Sequence, residues 1–390
     1  VELYTLDPLL RREAVIDKFE SLIWTERWQE FGDFQLDIPS TSGSRTLLRA
    51  GTRLAMNKSN YVMTVESIED GDDSENRRML TVKGRSLESQ LLDRVAKNSL
   101  ADLTTSPKWT ITLPPAEVAR KIFHDICVLG ILDPADVIPF IVEGPLLSPG
   151  TITEPVDPIT VELDPTTVYD AIVDISKVWN LGFRMLRNFD ASEIYFDVYS
   201  GSDRTSGQTV HSPVIFTPEL DNLQNTKELT SIDKAKNVAY VFSPAGFQMV
   251  YAIGVDPEIE GFARKVLVVN ASDITSENPD VASALIQRGN EELAQYRTYQ
   301  AFDGEISQLS QYKYGTHYHL GDLVEQRNLS GVTNNMRVSE QIFVQDREGE
   351  RAYPTLTLNT YINTGSWLSW LNNKTWLDLD PDPTTWSEQP

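Results

Sequence analysis

The sequence predicts an α+β fold that is mainly β. Three observations carry this. Residues 15–39 alternate apolar and polar side chains after a β-branched and aromatic run. Two stretches between 116 and 181 repeat apolar residues at helical spacing. Short strand-like runs return from residue 214 onward. Alternation with period two puts one face on a core, whereas a repeat near 3.6 marks an amphipathic helix.

Within 15–39, Phe34, Leu36 and Ile38 share one face, and Asp33, Gln35 and Asp37 share the other. Gly32 supplies the permissive backbone for a turn or bulge, and Pro39, which cannot donate to a ladder, closes the second strand. A long hairpin at this place reads as the start of a β-barrel or sandwich. Further strands are expected at 53–57, 61–68 and 78–84, with the acidic loop Glu69-Asp70-Gly71-Asp72-Asp73 as a solvated turn between the last two. It lacks the spacing and closing Glu of a calcium-binding loop. Ser86 is expected to cap a helix carrying Leu87, Leu91 and Val95.

Residues 98–115 read as a polar linker. A helix is predicted over 116–129, with Val118, Ile122 and Ile126 on one face and Gly130 as its stop. The proline-rich stretch 131–165 is predicted extended. The strongest helix is 166–181, with Val168, Ile172, Ile175 and Val178 in a stripe and Gly182 at its end. A hairpin, 183–186 with 194–199, follows. Strands are expected at 214–217, 237–243, 247–253 and 264–270. A helix then starts at Asn278-Pro279-Asp280 and runs to Tyr296. Strands 305–312, 317–325, 337–345 and 352–358 complete the β return, with a charged turn at 346–350.

The last 30 residues carry Trp367, Trp370, Trp376 and Trp386, half of the chain's eight tryptophans. Left in water, four such rings would expose roughly 600–1,000 Å², at or beyond the largest patch of a typical soluble monomer. The tail is therefore expected to dock, either on its own chain or on a partner, and these four residues are the candidate interaction site.

The net charge is −23, which argues against sequence-independent nucleic-acid binding and against an anionic membrane surface. No apolar run is long enough for a transmembrane span, and the first residues predict no signal peptide. One cysteine, Cys127, excludes an intrachain disulfide and reads as a buried small hydrophobe. His317 and His319 are predicted to share a strand face without a third metal ligand. Asp303 and Glu305 imitate a glycosidase pair only by proximity in sequence. No phosphate loop, dinucleotide fingerprint, nucleophile elbow or zinc-protease helix occurs. The expectation is no catalytic residue, no cofactor and no metal, hence no enzyme.

Four islands carry a resemblance. They are Ser21-Leu22-Ile23-Trp24-x-x-Arg27-Trp28 with Gly32-Asp33-Phe34-x-Leu36; Val82-x-Gly84-Arg85-Ser86-Leu87-x-x-x-Leu91-Leu92-x-Arg94-Val95; Lys236-Asn237-Val238-Ala239-Tyr240-Val241; and Tyr314-Gly315-x-x-Tyr318-x-Leu320-Gly321-Asp322-x-Val324. In these the sequence resembles the tail-tip hub (minor tail) proteins of long-tailed phages that infect actinobacteria, which are similar to the baseplate hubs of contractile tails. His317 departs from the pattern, where an acidic residue is expected before the tyrosine.

The resemblance implies a structural protein of the virion, made in the host cytoplasm. It implies two tube-type β-barrel domains with α+β domains inserted between them. On that plan, 1–95 is the first barrel domain and 96–200 an α+β domain. Residues 201–300 are a β-rich region with one helix, 301–360 the second barrel portion, and 361–390 the tail. It also implies a homotrimeric ring that joins a six-fold tail tube to distal tail-tip proteins. The implied neighbours are the distal tail protein and the tape measure protein, and DNA would pass without specific binding. Two other readings compete. The exposed aromatics of the tail suggest a receptor- or carbohydrate-binding protein. A cell-wall lysin is the weaker alternative, since about 30 residues after the last strand are too few to fold as a hydrolase.

Overall fold

The computed structural model describes residues 1–72, 77–143, 158–188, 192–252, 254–272, 274–276, 281–296, 299–306, 311–327 and 333–358. The chain divides into two compact units. The first joins Val1–Glu228 with Ala301–Asn359; the second is built on Leu229–Gln300.

The first unit is organised by one extended sheet. Its N-terminal strands are β1 (Leu3–Leu6), β2 (Arg12–Ile16), β3 (Ser21–Arg27), β4 (Asp33–Pro39), β5 (Arg53–Met56), β6 (Val62–Asp72) and β7 (Arg78–Ser86). The hydrogen-bonded order runs Leu223–Ser231, Tyr299–Ile306, Gly349–Leu358, Thr333–Asp346, β3, β4, β7, β6, β5, β1, β2. The C-terminal strands thus add onto the N-terminal hairpin. Glu340 pairs with Arg27, and Gln345 with Leu22. The hairpin itself is β3–β4, with Trp24 opposite Phe34 and Leu22 opposite Leu36. Phe34, Leu36 and Ile38 are buried as the alternation requires. Val15 belongs to the preceding strand β2, because the chain turns between Ile16 and Ser21.

Several expectations are corrected. The acidic run 69–72 is not a turn but the end of β6, paired from Glu69–Thr81 to Asp72–Arg78. Arg78 and Arg45 both bind Asp70 and supply the positive charge such a strand needs. Leu87–Asp93 is a 3₁₀ helix and Ser86 makes no side-chain cap; its Oγ accepts the Gly32 N–H at 2.8 Å instead. Val95 is exposed. The region 98–115 contains a strand, Trp109–Leu113, paired with Ile159–Leu163.

Helix α1 is the short Ser42–Leu47. Helix α2 (Pro115–Phe123) continues into a π-turn, His124–Val128, and Gly130 follows with a positive φ of 60°. Helix α3 (Val168–Trp179) is capped by Thr167, whose hydroxyl accepts the Asp170 N–H at 3.0 Å. Asn180, left-handed at φ 55°, ends it; Gly182 instead opens the strand Gly182–Asn188. That strand pairs with Glu193–Tyr199 as predicted. Val168, Ile172 and Ile175 are buried, whereas Val178 is exposed. Both helices and this hairpin share a core with Leu6, Val62, Leu87 and Leu91. Within the proline-rich stretch lie a turn at Pro134–Asp136 and short strands Ile141–Glu143 and Ile159–Leu163; 144–157 lie outside the described residues.

The second unit has Val238–Ser243 between antiparallel Gly246–Tyr251 and parallel Val266–Asn270. Helix α4 (Val281–Gln295) packs on one face. It approaches closely at Gly289, where a Cβ would stand 2.6 Å from Val250 Cγ2. The cap residues Asn278, Pro279 and Asp280 lie outside the described residues.

Candidate functional site

Two of the four islands meet at one point of the first unit. Trp28 follows β3 and is buried. The Arg337 guanidinium lies 4.7 Å from its ring centroid. Glycines let the backbone close on the indole. A Cβ at Gly182 would fall 2.0 Å from Trp28 Nε1, and one at Gly321 2.5 Å from the same atom. Gly321 (φ 84°) in turn presses on Gly201 (φ 73°), whose Cβ would meet the Gly321 carbonyl oxygen at 2.0 Å. No other residue fits these contacts.

Arg337 Nη1 donates to the Ser200 carbonyl at 3.0 Å and to the Gly321 carbonyl. Burial lowers its pKa to about 10, with Asp322 and Asp203 pulling the other way. Asp322, 2% exposed, accepts from Ser202 N–H (2.7 Å), Arg204 Nε (2.7 Å) and His319 N–H (2.9 Å). Burial opposes its charge, but these bonds outweigh it and hold the carboxyl below its usual range. Asp322 therefore pins the loop after Tyr199 to the turn before Leu323–Arg327.

A second polar cluster lies within the same unit. Glu26, 1% exposed, accepts the Tyr314 hydroxyl at 2.8 Å. Burial pushes its pKa up to about 7, against the opposing pull of the Ser59 and Tyr314 hydroxyls. Glu88 is also raised by burial, although its carboxylate accepts the Met185 N–H at 2.5 Å. Arg184 binds Asp197 at 2.9 Å and stacks over Tyr199, 4.0 Å from the ring centroid. Burial works against its charge, and Tyr199 and Asp197 more than offset that.

At the far end of β3 and β4 a groove of about 600 Å³ is lined by Glu20, Asp37, Glu69, Asp72, Asp346 and Glu348, with Arg77 and Arg347. Burial opposes the Asp37 charge, but hydrogen bonds from Thr81, Ser21 and Gln35 keep its pKa below the ordinary value. Both arginines are engaged by Glu20, at 3.6 and 2.8 Å. The groove therefore presents a net negative rim.

The sequence-selected residues fare unequally. His317 and His319 stand in a turn, not on a strand; Gly315 at φ 79° bends the chain and His317 Nδ1 accepts the Lys313 N–H at 3.0 Å. Among the described residues no cluster of three metal-ligating side chains gathers. Cys127 is buried, and that burial raises its thiol to about 12. Asp303 and Glu305 fall on Tyr299–Ile306, where only the backbone is described. Trp367, Trp370, Trp376 and Trp386 lie outside the described residues. Glu26, Arg337 and Gly201 were not singled out. For Glu26 the signal was present: Leu22, Trp24 and Glu26 alternate along β3 and Trp28 continues the period just beyond it, so a carboxyl falls on the core face.

The sequence matches the family described as Siphovirus ReqiPepy6 Gp37-like protein over residues 1–356. The chain belongs to this siphovirus tail protein family. The match takes in all four islands, including both that meet at Trp28. No curated protein matches the sequence. Solved structures share the fold of this chain, two phage tail proteins among them. The tail protein from Neisseria meningitidis MC58 is 14% identical, with a TM-score of 0.56 over 92% of this chain and 96% of that one. The 43 kDa tail protein of prophage MuSo2 from Shewanella oneidensis is 13% identical, with a TM-score of 0.55 over 91% and 96%. The chain is mainly β, with mixed sheets, and has the fold of phage tail proteins.

Proposed function

We propose that this protein is the structural hub of a phage tail tip. Three copies form a ring that joins a six-fold tail tube to the distal tail-tip proteins and lines the channel through which DNA leaves. The family match over 1–356 carries this reading. The way the C-terminal strands complete the N-terminal hairpin supports it. On this proposal residues 1–95 and 301–360 supply the two tube-type barrels, and 96–200 and 201–300 are the α+β regions between them. Three register shifts, at Thr5/Leu6, Val65/Ser67 and Val338/Glu340, supply the curvature such barrels need. The neighbours are the distal tail protein and the tape measure protein. The role is architectural rather than catalytic.

The negative groove at Glu20, Asp37 and Asp346 belongs to the channel wall on this proposal. Like charge there repels passing DNA rather than binding it. Light scattering of the full chain at several concentrations, alone and with its tail partners, tests the ring. A mass three times that of the chain is expected. A species that stays monomeric even with partners overturns it.

A further inference from the structure

Among the described residues of the second unit, helix α4 covers one face of the sheet. Ala239, Val241, Val250 and Val269 pack against α4. On the opposite face Val238 is buried, but the row beyond it is aromatic and exposed. Phe242 and Phe247 pair across the strands and are 48% and 64% exposed; Val268, opposite Tyr240, is 70% exposed. The rings of Tyr240, Phe242 and Phe247 stack in a row with centroid spacings of 6.4 and 6.2 Å. Arg264 stands at the end of this row, 5.8 Å from the Tyr240 centroid and 5.9 Å from that of Tyr251. A contiguous apolar row with a cation beside it is a surface made for flat aromatic rings.

We propose that the occupant of this face is the chain's own tail, through Trp367, Trp370, Trp376 and Trp386. Two observations select it. The strand Gly349–Leu358 pairs Thr357 with Ala301, the residue that directly follows Leu229–Gln300. The tail therefore departs beside Ala301, one residue past Gln300 in the chain. At roughly 3.3 Å per extended residue, the nine residues from Leu358 to Trp367 already span about 30 Å. The tail also carries Asp378, Asp380, Asp382 and Glu388 against the single Lys374, so its charge suits Arg264 at the end of the row. Indole faces stack on the phenyl row, and the guanidinium takes a cation–π partner. This inference stands independently of the hub reading.

Cysteine pairs in the full chain test it. Val268→Cys is combined in turn with Trp367→Cys, Trp370→Cys, Trp376→Cys and Trp386→Cys; Cys127 is buried and does not compete. Under mild oxidation at least one pair closes an intrachain disulfide, seen as a faster band of single-chain mass. Disulfides that join two chains mean the tail docks on a second copy, and no closure in any pair means the face takes another partner; either overturns the proposal. A second readout needs no cysteines. Phe242→Asp with Val268→Asp is expected to steepen acrylamide quenching of tryptophan emission severalfold relative to the unaltered chain. Unchanged quenching overturns the proposal as well.

Discussion

Among the described residues the core of the second unit is apolar, from Ala239 and Val241 to Leu285 and Leu293. In the first, ionisable groups run through the interior: Glu26, Glu88, Arg184, Asp197, Asp322 and Arg337 are all buried. The first arrangement tolerates imprecision, because apolar contacts are non-directional. The second demands that every donor meet its acceptor, because an unpaired buried charge is costly. The difference shows where the fold is specified by shape alone and where by hydrogen-bond geometry as well.

Substitution at the glycine contacts should break the contrast most strongly. Gly201→Ala forces a Cβ onto the Gly321 carbonyl at a left-handed position, and a loss of about 4–5 kcal/mol in urea unfolding is expected. Arg337→Met removes the bonds to Ser200 and Gly321 and leaves Asp322 with less positive charge nearby. It should cost about 3–4 kcal/mol, measured the same way.

The buried carboxyl sharpens the comparison through pH. Glu26 has a folded pKa of about 7, above its unfolded value. Its protonated form is therefore favoured by folding. That contribution is fully present below about pH 4.5 and is lost as pH rises through about 7, by up to about 3 kcal/mol. Glu26→Gln should flatten this dependence between pH 5 and 8. Hydrogen exchange should show the slope in β3 and β4 and none in Val238–Ser243.

Leu285→Ala should cost about 2–3 kcal/mol and raise exchange within the second unit alone. The smallest effect is expected at Arg347, whose side chain is 62% exposed. Arg347→Ala should change stability by less than about 1 kcal/mol, and less still at high salt.

Much of the fold was legible because burial leaves a period in the sequence. The β3–β4 hairpin, α3 and the hairpin after it follow directly from alternation or a helical stripe. What was not legible depended on distant partners. Glu69–Asp72 has a composition that disfavours strands, yet β7 and two arginines hold it in one. Trp109–Leu113 is too short and too polar at its flanks to announce itself, and its partner lies some 50 residues on, at Ile159–Leu163. Leu87–Asp93 tightened to a 3₁₀ helix while Glu88 turned inward to the Met185 amide. His317 and His319 were misplaced on a strand because Gly315 was not recognised as the bend. Of the polar centre, the islands named Trp28, Gly321 and Asp322, but Arg337 and Gly201 carry no local pattern that marks them.

The bond between Arg27 and Glu340 spans 313 residues of sequence. Its strand, β3, therefore leaves the ribosome some 313 residues before its neighbour on one side. At about 5–20 residues per second, roughly 15–60 s pass before that neighbour exists. Throughout this interval β3 has an unpaired edge with Ile23 on its surface, open to strands of other nascent chains. Synthesis rate and chaperone cover thus bear on yield as directly as final stability does.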